Sequence, residues 1–211
     1  MTLSLTLLLT LFTIGISLLA FNNSMYFYKL RHHPYTEFRK NEYHRWLTSS
    51  LLHGDYWHLF VNMFVFYQFG GVVEEVFTAV YGDLTGRLLF LVLYLGSVVA
   101  GDLPSYFRHK NDEGYSSIGA SGGVAGVMFA YAMFAPTSVI KLYLFIPLYT
   151  IVWALLYLMY EHWASRRMQD NIGHDAHLYG AIFGFIATAV MIPKAFPHFI
   201  SEIMNLVNGV N

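Results

Sequence analysis

Apolar runs separated by short polar stretches dominate the chain, and several approach the roughly 20 residues that a membrane-crossing helix needs. They predict helices over 3–21, 58–79, 88–107, 117–134, 139–162 and 176–191. Between the first two lies 22–57, rich in His, Tyr, Arg and Trp. A connection this long and this aromatic is expected to fold as an element lying at the membrane interface, not as a solvated linker. Pro147 falls inside the fifth run. It permits a kink or a weakened backbone bond there, because proline removes a backbone donor and neighbours must satisfy the freed group. No repeat period or low-complexity tract divides the chain, so 1–211 is expected to be one domain. The expected fold class is an all-α membrane protein with six spanning helices.

Composition sharpens this reading. Hydrophobic residues make up 56% of the chain and charged residues 12%, against about 25% charged in an ordinary soluble domain. The formal net charge of -1 supplies no basic surface for nucleic acid. Cysteine is absent, which removes disulfides, thiolate-held zinc and thiol catalysis together. The first run has no basic cluster before it and no small-residue cleavage signal after it, so it reads as a retained helix. Charge does not settle orientation. With a cytoplasmic N-terminus the inner segments would carry Arg87, Lys141 and Lys194. The outer ones would carry Lys29, Arg31, Arg39, Lys40, Arg45, Arg108, Lys110, Arg166 and Arg167. That reverses the positive-inside rule, although five of those nine charges sit in 22–57, where a packed structure can employ them.

Polar side chains inside apolar spans are expensive and therefore the first functional candidates. His58 and Asn62 stand four residues apart, on one face of the second helix. The fourth helix carries Ser121 among Gly119, Gly122, Gly123 and Gly126, and the sixth carries His177 in its first turn, followed by Gly180 and Gly184. Small residues spaced four apart let helix backbones touch. If the fourth and sixth helices pack through them, Ser121 and His177 start at similar depth near one membrane face. A serine hydroxyl attacks a carbonyl at neutral pH only with a base beside it, and a neutral imidazole is such a base. The oxyanion formed by that attack needs donors, which the side chains of His58 and Asn62 and the backbone N–H of Ser121 can supply. Gly119 lets the chain take a conformation or an approach that other residues resist.

Taken in order, His58-x-x-x-Asn62, Gly119-x-Ser121-Gly122 and Ala176-His177-x-x-Gly180-x-x-x-Gly184 resemble the rhomboid family of intramembrane serine proteases. Glu42-x-x-Arg45-Trp46-x-Thr48, His53 and Gly70-Gly71-x-x-Glu74 add to the likeness, which covers about residues 1 to 195. The resemblance implies a six-helix rhomboid-type bundle whose long first loop, with Arg45 and Trp46, lies half-embedded in the membrane. It implies a catalytic dyad of Ser121 as nucleophile and His177 as base and then acid, without a third acidic member. His58 and Asn62 would stabilise the oxyanion. The site would open to the extracytoplasmic side, with the fifth helix and about 165–175 as gate and lid. Substrates would be transmembrane helices of other membrane proteins, cut within the bilayer after local unwinding. No cofactor and no metal is expected, and a bacterial inner membrane is the expected location, since no Arg- and Ser-rich leader is visible.

One departure stands out. Many family members have an aromatic residue four positions after the nucleophile, packed against the histidine, and here that position is Ala125. Either another aromatic fills the space, Tyr179 and Phe129 being the candidates, or His177 is less firmly held. Asp175 stands two residues from His177, pointing elsewhere on a helix, and reads as a favourable charge at a helix N-terminus. A catalytically inactive rhomboid-like binding protein is the nearest alternative, and a transporter a more remote one, since no paired halves are visible. A zinc site built from His174, His177 and Asp175 with His53 or His58 lacks the H-E-x-x-H pattern of membrane metalloproteases.

Overall fold

The computed structural model describes residues 4–142, 146–167 and 173–209. Ten α-helices and one β-hairpin are formed by these residues: α1 (Leu5–Phe21), α2 (Ser24–Leu30), α3 (Pro34–Lys40), α4 (Arg45–Thr48), α5 (Tyr56–Tyr81), α6 (Asp83–His109), α7 (Ser121–Phe134), β1 (Val139–Leu142), β2 (Ile146–Tyr149), α8 (Thr150–Arg167), α9 (His174–Met191) and α10 (Ala195–Asn208). By length and composition α5 and α6 are each able to cross a membrane, and α9 with α10 passes the same test as one span bent by 108°. Helices α1 and α7 are shorter apolar helices.

Buried aromatic and aliphatic side chains of α5, α6 and α7 form the core, with Phe66, Phe77, Phe90, Leu93 and Val127 at its centre. Helix α1 is held against α5 by one carboxylate. Glu74 accepts from the backbone N–H of Leu5 and Thr6 and from the hydroxyls of Ser4 and Thr6, at 2.7–3.1 Å. It thereby satisfies donors that the start of α1 leaves open.

The segment between α1 and α5 folds as short helices tied by side chains. Arg45 bonds Glu42 and the carbonyls of Tyr28 and Arg31, Trp46 Nε1 donates to Glu37 at 2.6 Å, and Thr48 donates to the carbonyl of Leu30. His32, fully buried, bridges Glu37 and Ser105 of α6. This segment also steers the chain into α7. His32 and Ser117 exchange backbone bonds, and Gly119 N–H donates to the carbonyl of Ser49 at 3.1 Å.

Two stretches differ from the sequence expectation. The fifth helix was expected over 139–162, but 139–149 contributes an antiparallel hairpin, with Val139 opposite Tyr149 and Lys141 opposite Pro147, and the helix begins at Thr150. Val139, Ile140 and Ile146 are β-branched and favour extended backbone. Pro147 therefore kinks no helix: it sits in a two-stranded ribbon, whose outer edges need no donor. Helix α10 was not among the expected elements. Proline is tolerated in a first helical turn, and α10 places Pro197 there.

Candidate active site

Helix α7 begins at Ser121 itself, with Ala120 as its cap residue and Gly119 at φ 128°, a conformation open to glycine and strained for other residues. Ser121 thus sits at the positive end of the helix dipole, among backbone N–H groups that have no partner within the helix. A Cβ added to Gly119 would lie 3.2 Å from His58 Cε1 and 3.7 Å from Ser121 Oγ, so this glycine is the floor between those two side chains.

Helices α7 and α9 meet backbone to backbone. A Cβ at Gly180 would fall 2.2 Å from the carbonyl oxygen of Gly122, and one at Gly184 2.2 Å from that of Gly126. One turn earlier, a Cβ at Gly122 would lie 3.2 Å from the carbonyl of Ala176. Ser121 and His177 are the chain neighbours of Gly122 and Ala176, so both residues flank this seam. Ser121 Oγ and His177 share no hydrogen bond in this structure; His177 Nδ1 bonds Glu161 Oε1 at 3.0 Å.

A hydrogen bond selects the tautomer of His58. Gly54 N–H donates to His58 Nδ1 at 3.4 Å. A neutral ring that accepts at Nδ1 carries its proton on Nε2, and Nε2, with Cε1, is on the edge of His58 turned toward Gly119. His58 is thereby a donor. Asn62, buried one turn later, donates one amide hydrogen to the carbonyl of His58 at 3.1 Å and keeps the other. A cavity of about 690 Å³ opens beside these groups, lined among others by His58, Gly119, Ser121, Asp102, Asp175 and Ala176.

His53 lies edge-on to His58 at a ring distance of 4.9 Å and bonds the hydroxyl of Ser17, which itself donates to the carbonyl of Leu51. Burial first, then the neighbouring His58, push His53 down to about 3, against a smaller opposing pull from Asp55. It is a neutral structural ring. His32 goes the other way: burial opposes its charge, but the hydrogen bond to Glu37 and the negative fields of Asp102 and Glu37 more than offset this and raise it. Asp175 at the start of α9 pairs with Arg108 at 2.6 Å, as befits a helix N-terminal charge.

The wall behind His177 comes from α8. The ring facing it belongs to Tyr157, at 6.4 Å and 28°. Neither expected aromatic takes that place: Tyr179 is exposed and Phe129 packs on Trp153 and Tyr157. Glu161, one turn beyond Tyr157, bonds His177 through one oxygen and His174 Nδ1 through the other at 2.6 Å. These three side chains offer ligand atoms within 4.8 Å of one another and are the set that could hold a metal among the described residues. The sequence reading missed Glu161, although it is the sole carboxylate in the expected span 139–162. An ionisable residue inside an apolar span was the available signal. Of the expected lid, 168–172 lies outside the described residues.

A family profile described as a Rhomboid domain matches residues 40–194. The chain belongs to the rhomboid family. With its apolar helices this makes it an integral membrane protein. It is similar to a putative rhomboid protease, YdcA, of Bacillus subtilis, 25% identical over 156 residues, covering 72% of this chain and 69% of that protein. It is also similar to the mitochondrial RHOMBOID-like protein 12 of Arabidopsis thaliana, 25% identical over 167 residues, covering 72% of this chain and 47% of the relative. The mitochondrial Rhomboid protein 1 of Saccharomyces cerevisiae is 28% identical over 144 residues, covering 65% of this chain and 39% of the relative. The rhomboid profile takes in His53, His58, Asn62, Ser121, Tyr157, Glu161, His174 and His177 and ends before α10.

Proposed function

We propose that this rhomboid is an intramembrane serine endopeptidase that cleaves transmembrane helices of other membrane proteins, with Ser121 as nucleophile and His177 as base. The observation that carries the reading is the seam of Gly122 and Gly126 against Gly180 and Gly184, which sets the first turn of α7 beside the first turn of α9. His177 Nε2 takes the Ser121 proton as Oγ attacks the scissile carbonyl, then returns it to the leaving amine. The oxyanion is met by the Ser121 backbone N–H, His58 Nε2–H and the free amide hydrogen of Asn62. The cavity beside Ser121 supplies room for an extended segment and for the water that hydrolyses the acyl-enzyme. A helical peptide bond is covered by its own hydrogen bonds, so substrate must unwind before it reaches Oγ. The similarity to a Bacillus protein supports a bacterial cell membrane as the location, with the site opening to its outer side. The single rhomboid domain is taken as the whole catalytic unit.

The test is cleavage of a panel of single-span membrane proteins by the reconstituted chain. Ser121→Ala and His177→Ala are each expected to reduce cleavage to background while the thermal midpoint stays near that of the native chain. Retained cleavage in either variant refutes the dyad, whereas a native chain that cleaves none of the panel favours an inactive rhomboid-like binding protein.

A further inference from the structure

Glu161 is buried, 3% exposed, on a helix of a membrane protein, and both of its oxygens are engaged. We propose that Glu161 is a positioning residue for His177: it fixes the tautomer and orientation of the ring, so that the serine and histidine act with a glutamate behind them. The inference rests on the assignment of Ser121 and His177 above.

Proton bookkeeping gives the reason. An ionised carboxylate only accepts hydrogen bonds, so the 3.0 Å contact places a proton on His177 Nδ1. A neutral imidazole has one N–H, which leaves Nε2 bare and basic. During attack the proton passes from Ser121 Oγ to His177 Nε2 while the Nδ1 proton stays on the ring and Glu161 keeps its charge. The imidazolium then lies against a carboxylate in surroundings of low dielectric, where that attraction is strong. When Nε2 delivers its proton to the leaving amine, the ring is neutral again and the Nδ1–H bond to Glu161 is intact.

The carboxylate is itself held. His174 Nδ1 bonds the second oxygen at 2.6 Å, so Glu161 cannot turn away from His177 without breaking that contact. Tyr157, four residues earlier on the same face of α8, lies against the ring. Two restraints from α8 thus act on His177 where Ala125 on α7 offers none. His58 is fixed in the opposite tautomer by Gly54, as an oxyanion donor must be. A divalent cation at Glu161, His174 and His177 would have the reverse effect, because coordination at Nδ1 puts the remaining ring proton on Nε2 and blocks the base.

The experiment compares the native chain with Glu161→Gln, which keeps shape and removes charge, using steady-state cleavage, thermal midpoint and ¹⁵N spectra of the His177 ring assigned by difference from His177→Gln. The native ring is expected to carry its proton on Nδ1. In Glu161→Gln, kcat is expected to fall on the order of 10² to 10⁴-fold with KM within about threefold and the Nδ1–H preference lost. A native ring protonated on Nε2 overturns the proposal, and does so even if the variant fails to fold. So does a variant with native kcat, or a chain that loses cleavage in EDTA and regains it with added zinc. Ser121→Ala and His177→Ala run alongside: if either still cleaves, the underlying assignment has failed, whereas if both are dead and Glu161→Gln is fully active, only the positioning role has.

Discussion

Helix α9 has two neighbours that treat it differently. Against α7 it packs through backbone, with Gly122 facing Gly180 and Gly126 facing Gly184. Against α8 it packs through side chains: Ala154, Glu161 and Ala164 are buried, while Leu155, Leu156, Met159 and Trp163 face outward. The glycine seam has no room to give, since a Cβ at Gly180 or Gly184 would strike a carbonyl oxygen of α7. The α8 wall is made of rings and a carboxylate, which can re-pack. The seam determines where His177 stands, and the wall determines how its ring is turned. Position and orientation of the base are thus separable, and substitutions can address each alone.

The largest effect is expected from breaking the seam. Gly180→Leu drives a side chain into Gly122 and should destabilise the fold by about 3 kcal/mol or more, seen as a lowered thermal midpoint together with lost cleavage; a fully active leucine variant would contradict close contact. Next comes Asn62→Ala on α5, which should lower kcat by about 10- to 1000-fold if the amide meets the oxyanion. An unchanged rate would reduce Asn62 to packing. Tyr157→Leu removes one ring of the wall and is expected to lower kcat by about 2- to 10-fold, the equivalent of an aromatic contact, with little change in midpoint. A loss as large as that of Gly180→Leu would erase the distinction between the two neighbours.

Smallest is a pH effect outside both contacts. His53 is held near 3 in the fold against 6.5 when free, so the unfolded chain binds the proton that the folded one refuses. Stability from this group is intact above about 6.5 and declines as pH falls toward 3. The acid decline of the thermal midpoint should be shallower in His53→Gln; parallel curves would show that His53 does not titrate this way.

The glycine spacing on two apolar runs was enough to place Ser121 and His177 at adjacent helix starts, because a four-residue repeat of small side chains has few other uses in a membrane. The start of α8 was not legible. Hydropathy alone does not separate a β-branched hairpin from the first turns of an apolar helix, and starting the fifth helix at 139 hid the buried stripe of Thr150, Ala154, Glu161 and Ala164, with half-buried Tyr157 beside it. With that stripe hidden, Glu161 had no partner and Tyr157 no role. Ala125 was legible as a gap, but its remedy lies on another helix, and cross-helix distance is not written in local spacing.

The central claim is that Ser121 is a nucleophile activated by His177. It is tested most directly by a fluorophosphonate probe on the folded, reconstituted chain, with the modified residue mapped by mass spectrometry. The account predicts labelling at Ser121 in the native chain and none in His177→Ala at equal thermal midpoint. An unlabelled native chain, or a His177→Ala variant labelled as fast as the native one, would contradict it.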